Sequence, residues 1–329
     1  MSPLKIVAPA GTPAALEAAV AAGADAVYLG FRDQTNARNF PGLNFDRDEL
    51  GAAVATAHAA GCAVYLAVNT YPEAGDPGPW RRAIDDAVAL GADALILADI
   101  GLLDYACRRH PGMRLHLSVQ AAASSAPAIR LYHEAFGVRR VVLPRVLTVA
   151  RIAELNAAIP VETEVFAFGG LCVMAEGRCQ LSAYVTGRSP NRDGVCSPAS
   201  HVRYETRDNW LVTRVGAVTV DAFSPGEAAG YPTLCKGRFA VAGGGPGYLF
   251  EEPTSLDVGG LLPALMKAGV TAIKIEGRQR GRAYVGRVTK AFRRAVDSAA
   301  AGGPVPPLAL DDVTEGGRAT TGAYARAWR

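Results

Sequence analysis

The chain has 329 residues, 50% of them hydrophobic and 20% charged, which is room for a large core as one barrel with an insertion or as about two domains; a disulfide-stapled miniprotein is excluded. Thirty-four Lys+Arg against 31 Asp+Glu give a net charge of +3, too small for charge alone to indicate nucleic-acid binding. No apolar run reaches the roughly 18 residues of a membrane span, and the opening MSPLKIVAPAG lacks the pattern of a secretory signal, so a cytoplasmic protein without a membrane span is expected.

Along the chain one unit recurs: a helical stretch, a glycine, a short spacer and an apolar run. It stands as AAGADAVYLG (21–30), AAGCAVYLAVN (59–69), ALGADALILAD (89–99), AFGVRRVVLP (135–144) and KAGVTAIKIEG (267–277). Glycine just past a helix is a C-cap, because only glycine enters the left-handed region without penalty. The apolar runs read as parallel strands buried on both faces. Strands are expected at Ile6–Pro9, Ala26–Leu29, Ala63–Asn69, Ala94–Ala98, Arg114–Ser118, Arg140–Pro144, Glu162–Phe166 and Ala272–Glu276. Eight strands alternating with helices predict an α/β fold, a closed (β/α)8 TIM-like barrel. No GxGxxG follows the first strand, which argues against a dinucleotide-binding sheet.

The regular spacing breaks after the seventh strand. The barrel is assigned to 1–170 and 258–300, with an insertion at 171–257 and a C-terminal tail at 301–329 packed on the body through Tyr324 and Trp328. The insertion carries turn-rich segments (SPNRDG, FSPGEAAGYP, AGGGPG) and short β-like runs at Val202–Thr206 and Leu211–Val215. It leaves the C-terminal end of a barrel strand, the face on which barrel active sites lie.

Six cysteines occur. Cys62 and Cys107 lie in periodic apolar segments, whereas Cys172, Cys179, Cys196 and Cys235 all fall in the insertion. In a reducing compartment four thiols on one irregular segment point to a metal or cluster site. No CxxC knuckle of the kind zinc sites favour is present. Wide spacing around glycine-rich turns suits an iron–sulfur cluster, with structural zinc as the rival. Arg178, Arg188, Arg192, Lys236 and Arg238 are candidates to offset a cluster's negative charge.

The last barrel strand carries charge. Alternation puts Ala272, Lys274 and Glu276 on the barrel-facing side and Ile273 and Ile275 toward the helices. Lys274 and Glu276 are therefore candidates to face substrate at the barrel mouth, with Arg278 and Arg280 just beyond and Asn69, Ser118 and Gln120 at the ends of strands three and five. His116 shares that parity and reads as a core histidine. Peptidase machinery is missing: His133-Glu134 is not followed by a second histidine at HExxH spacing, no GxSxG occurs, and the five histidines form no ligand set with the cysteines.

The segment EVFAFGGLCVMAEGRCQLS (164–182) resembles the signature of the collagenase-like peptidase family, with Gly170 where Ser or Ala is usual. LSAYVTGRSPN, CSPA, AGYPTLCKGR, EEPTSL, IKIEGRQR and the terminal TTGAY are similar to its UbiU subfamily, which serves oxygen-independent ubiquinone biosynthesis. The resemblance implies a [4Fe–4S] cluster on Cys172, Cys179, Cys196 and Cys235. It also implies an oxidoreductase-type hydroxylase, not a functional peptidase, that acts on a prenylated phenol ring as a heterodimer with a UbiV-like homologous cluster protein. Prephenate is the implied hydroxyl donor; a dicarboxylate suits a mouth bearing Lys274, Arg278 and Arg280. No amphipathic basic membrane helix is evident, so a lipid-presenting protein is an expected further partner and nucleic acid is not. The alternatives are an RNA pyrimidine hydroxylase of the same family and a zinc-stabilised scaffold.

Overall fold

The computed structural model describes residues 4–191 and 196–325. The chain opens with β1 (Lys5–Pro9), α1 (Pro13–Ala21), β2 (Ala26–Gly30), α2 (Arg47–Ala59), β3 (Ala63–Val68), α3 (Gly78–Ala89) and β4 (Ala94–Leu97). It continues with α4 (Ile100–Arg109), β5 (Arg114–Leu117), α5 (Ala126–Phe136), β6 (Arg140–Val142), α6 (Val149–Ala158) and β7 (Glu162–Gly170). Local chemistry sets the helix starts: Thr12 and Thr148 cap α1 and α6, Asp99 caps α4, and Asp46 with Glu49 forms a capping box on α2. The glycines of the recurring unit, Gly23, Gly61, Gly91, Gly137 and Gly269, all have φ between +70° and +88°, as the C-cap reading requires.

The segment after β7 holds α7 (Leu181–Thr186), a three-stranded antiparallel sheet of β8 (Val202–Arg207), β9 (Trp210–Val215) and β10 (Val218–Phe223), and a hairpin of β11 (Arg238–Ala240) and β12 (Pro246–Tyr248). Then β13 (Ser255–Asp257) pairs antiparallel with the end of β7, Ser255 opposite Gly170. That pairing carries β7 four residues past the expected end at Phe166. The chain resumes with α8 (Leu262–Lys267), β14 (Ala272–Ile275) and α9 (Arg282–Ala300).

β14 pairs in parallel with both β1 and β7, so the eight strands β1–β7 and β14 close into a parallel barrel flanked by helices. The largest core cluster lies between strands and helices and includes Ile6, Val27, Leu66, Leu95, Ile273 and Phe292. A smaller cluster fills the barrel interior with Val7, Tyr28, Tyr65, Ala67, Ile96 and Ala272. Ile273 and Ile275 thus face the helices while Ala272 faces inward, as strand alternation dictates. From the C-terminal segment, Ala319–Thr320 pairs with β13 and Tyr324 is buried against the core; Trp328 lies outside the described residues. Among the described residues no helix is long and apolar enough to cross a membrane.

Candidate active site

Charge is concentrated inside the barrel, where water is scarce and every ion needs a partner. Arg140 on β6 bonds Glu162 at 2.7 Å and Glu164 at 3.1 Å, both on β7. Lys274 on β14 bonds the other oxygen of Glu164 at 2.8 Å and lies 3.7 Å from the centroid of the Tyr28 ring. Burial lifts the Glu164 carboxyl, but Lys274 and Arg140 outweigh it and hold the group below its usual range. Burial also pulls Lys274 below its usual range despite Glu164. His116 is fully buried, accepts from Arg114 Nε at 3.1 Å and meets Tyr65 edge-on. Burial and then Arg140 drive its pKa well down, leaving a neutral ring suited to the core rather than to proton transfer.

Above this layer, at the C-terminal ends of the strands, lies a partly open cavity of about 60 Å³. Its polar lining includes Arg38, Asn69, Arg145, Glu176, Glu276 and Arg278, and Lys274 closes the floor. Asn69, just past β3, accepts from the Ala37 backbone N–H at 2.9 Å and donates to Ser118 Oγ at 3.2 Å, which fixes the loop after β2 over the mouth. Arg145 follows β6, stacks 3.5 Å from the centroid of Phe166, and bonds both Glu176 of the insertion and Glu276 beyond β14. Arg38 bonds the other oxygen of Glu276 at 3.2 Å. Burial raises the Glu276 carboxyl, but Arg145 and Arg38 overcome it and keep the group ionised. Glu176 differs: burial raises it in spite of Arg145, and its second oxygen has no hydrogen-bond partner among the described residues.

The four insertion cysteines gather beside this mouth. Cys196 interacts electrostatically with Cys172, Cys179 and Cys235, and Cys179 with Cys235. Burial pushes the Cys172 thiol up to about 12 and Cys235 to about 11. Cations oppose that: Arg145 beside Cys172, Arg38 beside Cys196, and Lys236 beside both Cys196 and Cys235. Among the described residues no three His, Cys, Asp or Glu side chains lie close enough to enclose a single metal ion. The loop carrying Cys172 and Cys179 is pinned by Gly177, whose φ is +78°; a Cβ there would lie 2.0 Å from the Gln120 carbonyl oxygen. On the far side of that loop an apolar groove of about 510 Å³ is lined by Met174, Cys179, Leu181, Tyr184, Leu234 and Phe250.

Of the residues expected at the mouth, Asn69, Ser118, Gln120, Lys274, Glu276 and Arg278 all line the cavity. Lys274 and Glu276 do not pair with each other; each takes a partner from another strand end, Glu164 and Arg145 respectively. Arg280 does not line the cavity: the chain turns at Gly277 (φ +150°) and the guanidinium lies over Tyr284 instead. Arg238, expected to offset thiolate charge, is held by Asp221 at 2.5 Å and Glu227 at 3.1 Å, and Arg192 lies outside the described residues. Sequence reasoning missed Arg38, Arg145 and Glu176. Their signal was positional: Arg145 directly follows strand six, Arg38 lies in the loop after strand two, and Glu176 sits between two of the clustered cysteines.

A closed barrel whose post-β7 insertion brings thiols to a cation-lined mouth defines a class of (β/α)8 proteins with the site at the strand C-termini. Residues 11–317 match the model of peptidase family U32, and the chain belongs to that family. It is 33% identical over 325 residues to tRNA hydroxylation protein P of Escherichia coli (strain K12), covering 93% of this chain and 71% of that protein. The protein of the same name in Haemophilus influenzae (strain ATCC 51907 / DSM 11121 / KW20 / Rd) is 30% identical, covering 93% of this chain and 70% of that one. The 23S rRNA 5-hydroxycytidine C2501 synthase of E. coli is 29% identical, covering 90% of this chain but 39% of that protein. Relatives named for hydroxylation support a hydroxylase-type role within the family.

Proposed function

We propose that this protein is the cluster-bearing subunit of an oxygen-independent hydroxylase in ubiquinone biosynthesis. It acts on a prenylated phenol, with prephenate as hydroxyl donor and a homologous UbiV-like cluster protein as partner. One observation carries the reading. The Cys172–Cys179 loop stands between a cation-rich cavity, into which Glu176 projects, and an apolar groove of about 510 Å³. An acidic donor suits the first and a hydrophobic isoprenoid substrate the second.

Cys172, Cys179, Cys196 and Cys235 would hold a [4Fe–4S] cluster, which supplies electron transfer when bound. The donor set fits such a group: four thiols on turn-rich backbone, with Arg145, Arg38 and Lys236 placed to balance thiolate charge. The chain's own residues bind and orient. Lys274 and the mouth arginines draw in an anion, Asn69 and Ser118 fix the mouth loop, and Glu176 is a buried carboxyl able to hold a proton.

A strain lacking this gene, grown without oxygen, is expected to lose ubiquinone and accumulate an unhydroxylated prenylphenol. Unchanged anaerobic ubiquinone would sink the reading. The family relatives named for tRNA and rRNA hydroxylation favour a second reading, pyrimidine hydroxylation. Normal quinone together with a missing hydroxylated nucleoside in the same strain would establish it.

A further inference from the structure

Arg278 is built into the cavity wall and makes no ion pair among the described residues. Its side chain is 4% exposed. Two glycines make room for it: a Cβ on Gly30 would lie 2.9 Å from Arg278 Nη1, and one on Gly11 would lie 1.7 Å from the Arg278 carbonyl oxygen. Among the described residues its one side-chain hydrogen bond is from Nη1 to Asn36 Oδ1 at 3.1 Å, and its Nε has no partner. The guanidinium lies 5.6 Å from the centroid of Tyr28. The neighbouring carboxylates are committed elsewhere: Glu164 to Lys274 and Arg140, Glu176 to Arg145, Glu276 to Arg145 and Arg38.

We infer that Arg278 is the anchor of a subsite for a single carboxylate group of a small organic acid, with the rest of that acid directed toward the cysteine loop. A buried cation without a partner is costly unless a ligand neutralises it. Among the described residues the cavity lining carries four cations, Arg38, Arg145, Lys274 and Arg278, against two carboxylates, Glu176 and Glu276, a balance that favours an anionic ligand. Burial also lowers Arg278 to about 10, and the nearby Tyr28 and Glu276 do not make up the loss. The volume of about 60 Å³ accepts a carboxylate and little more. Gln120, on the same wall, has a buried side-chain oxygen with no donor among the described residues, so a hydroxyl on the acid would complete the fit. The guanidinium fork recognises the planar carboxylate better than an ammonium does.

This subsite rests on the reading of an acidic hydroxyl donor, and its test is a binding measurement independent of quinone output. Prephenate and, separately, inorganic phosphate are titrated calorimetrically into the full chain purified without oxygen, as wild type, Arg278→Met and Arg278→Lys. Wild type binds prephenate; Arg278→Met weakens it by about 30-fold or more, and Arg278→Lys by about tenfold. Ligand-free Arg278→Met melts at or above the wild-type temperature, because its buried charge is gone. Prephenate affinity within twofold of wild type in both variants overturns the subsite, as does no binding to wild type. Phosphate binding as tight as prephenate overturns the carboxylate assignment. If Arg278→Met does not fold, Arg278→Lys decides. Retained, Arg278-dependent prephenate binding alongside normal anaerobic ubiquinone would overturn the pathway reading and leave the subsite standing.

Discussion

Glu176 of the insertion and Glu276 beyond the last barrel strand are held together by one guanidinium, that of Arg145, which is itself stacked on Phe166. The insertion is thereby tied to the barrel through buried ion pairs at the cavity wall. Arg145→Met would leave two buried carboxylates short of a cation. A cost of about 3–5 kcal/mol follows, read by urea unfolding, with Arg145→Lys in between. A loss below about 1 kcal/mol for the methionine variant would mean that the tie is not what holds the insertion.

The barrel-floor pair of Glu164 and Lys274 sets a pH dependence. The Glu164 carboxyl in the folded protein lies below its ordinary value of 4.5, so its contribution is fully present above that pH and is lost as pH falls through the lowered folded value. Wild type should exceed Glu164→Gln in stability by about 3 kcal/mol at pH 7, since the variant strands Lys274 and Arg140. The gap should narrow on acidification below pH 4.5. Thermal melts from pH 7 to 3.5 check this, and a gap constant across that range would contradict it.

Replacement of any one of Cys172, Cys179, Cys196 and Cys235 tests the proposal that they share one cluster. Wild-type protein purified without oxygen should carry about four irons and four sulfides per chain, with broad absorbance near ~400 nm. Cys196→Ala should lose most of both. One zinc per chain and no iron would instead make the insertion a structural zinc module.

Two glycines separate backbone strain from backbone collision. Gly177 has φ +78° and its Cβ position is 2.0 Å from the Gln120 carbonyl oxygen, whereas Gly187 has φ +73° with nothing within 4 Å. Gly187→Ala should cost about 1 kcal/mol of left-handed strain alone. Gly177→Ala must also push the cysteine loop off the barrel, so it should cost more and lower iron content as well. Equal melting temperatures and equal iron in the two variants would refute the pinning role of Gly177.

Much of this protein was determined by sequence alone. A glycine after a helix and an apolar run after that glycine specify local backbone states, which need no distant partner to be legible; five of the eight barrel strands, β2, β3, β4, β6 and β14, followed from them, and β1, β5 and β7 from their apolar runs. Strand alternation likewise placed Lys274 inward and Ile273 and Ile275 outward, because the pleat is a property of the strand itself. The concentration of four cysteines in one irregular segment was visible for the same reason.

Only the tertiary structure decided which charges meet. Lys274 pairs with Glu164 rather than with Glu276, because barrel closure sets β14 against β7 in a register that puts Lys274 beside Phe166, two residues beyond Glu164's row and on the same face. Arg38, Arg145 and Glu176 come from three separate loops that converge once the barrel closes, so no spacing along the chain reveals them. Arg280 leaves the cavity and Arg278 stays in it because the backbone turns at Gly277, and the glycines that admit Arg278, Gly11 and Gly30, lie at the opposite end of the chain. Local preference writes the strands and helices, while the electrostatics of a buried site depend on distances between residues that the chain keeps far apart until it closes on itself.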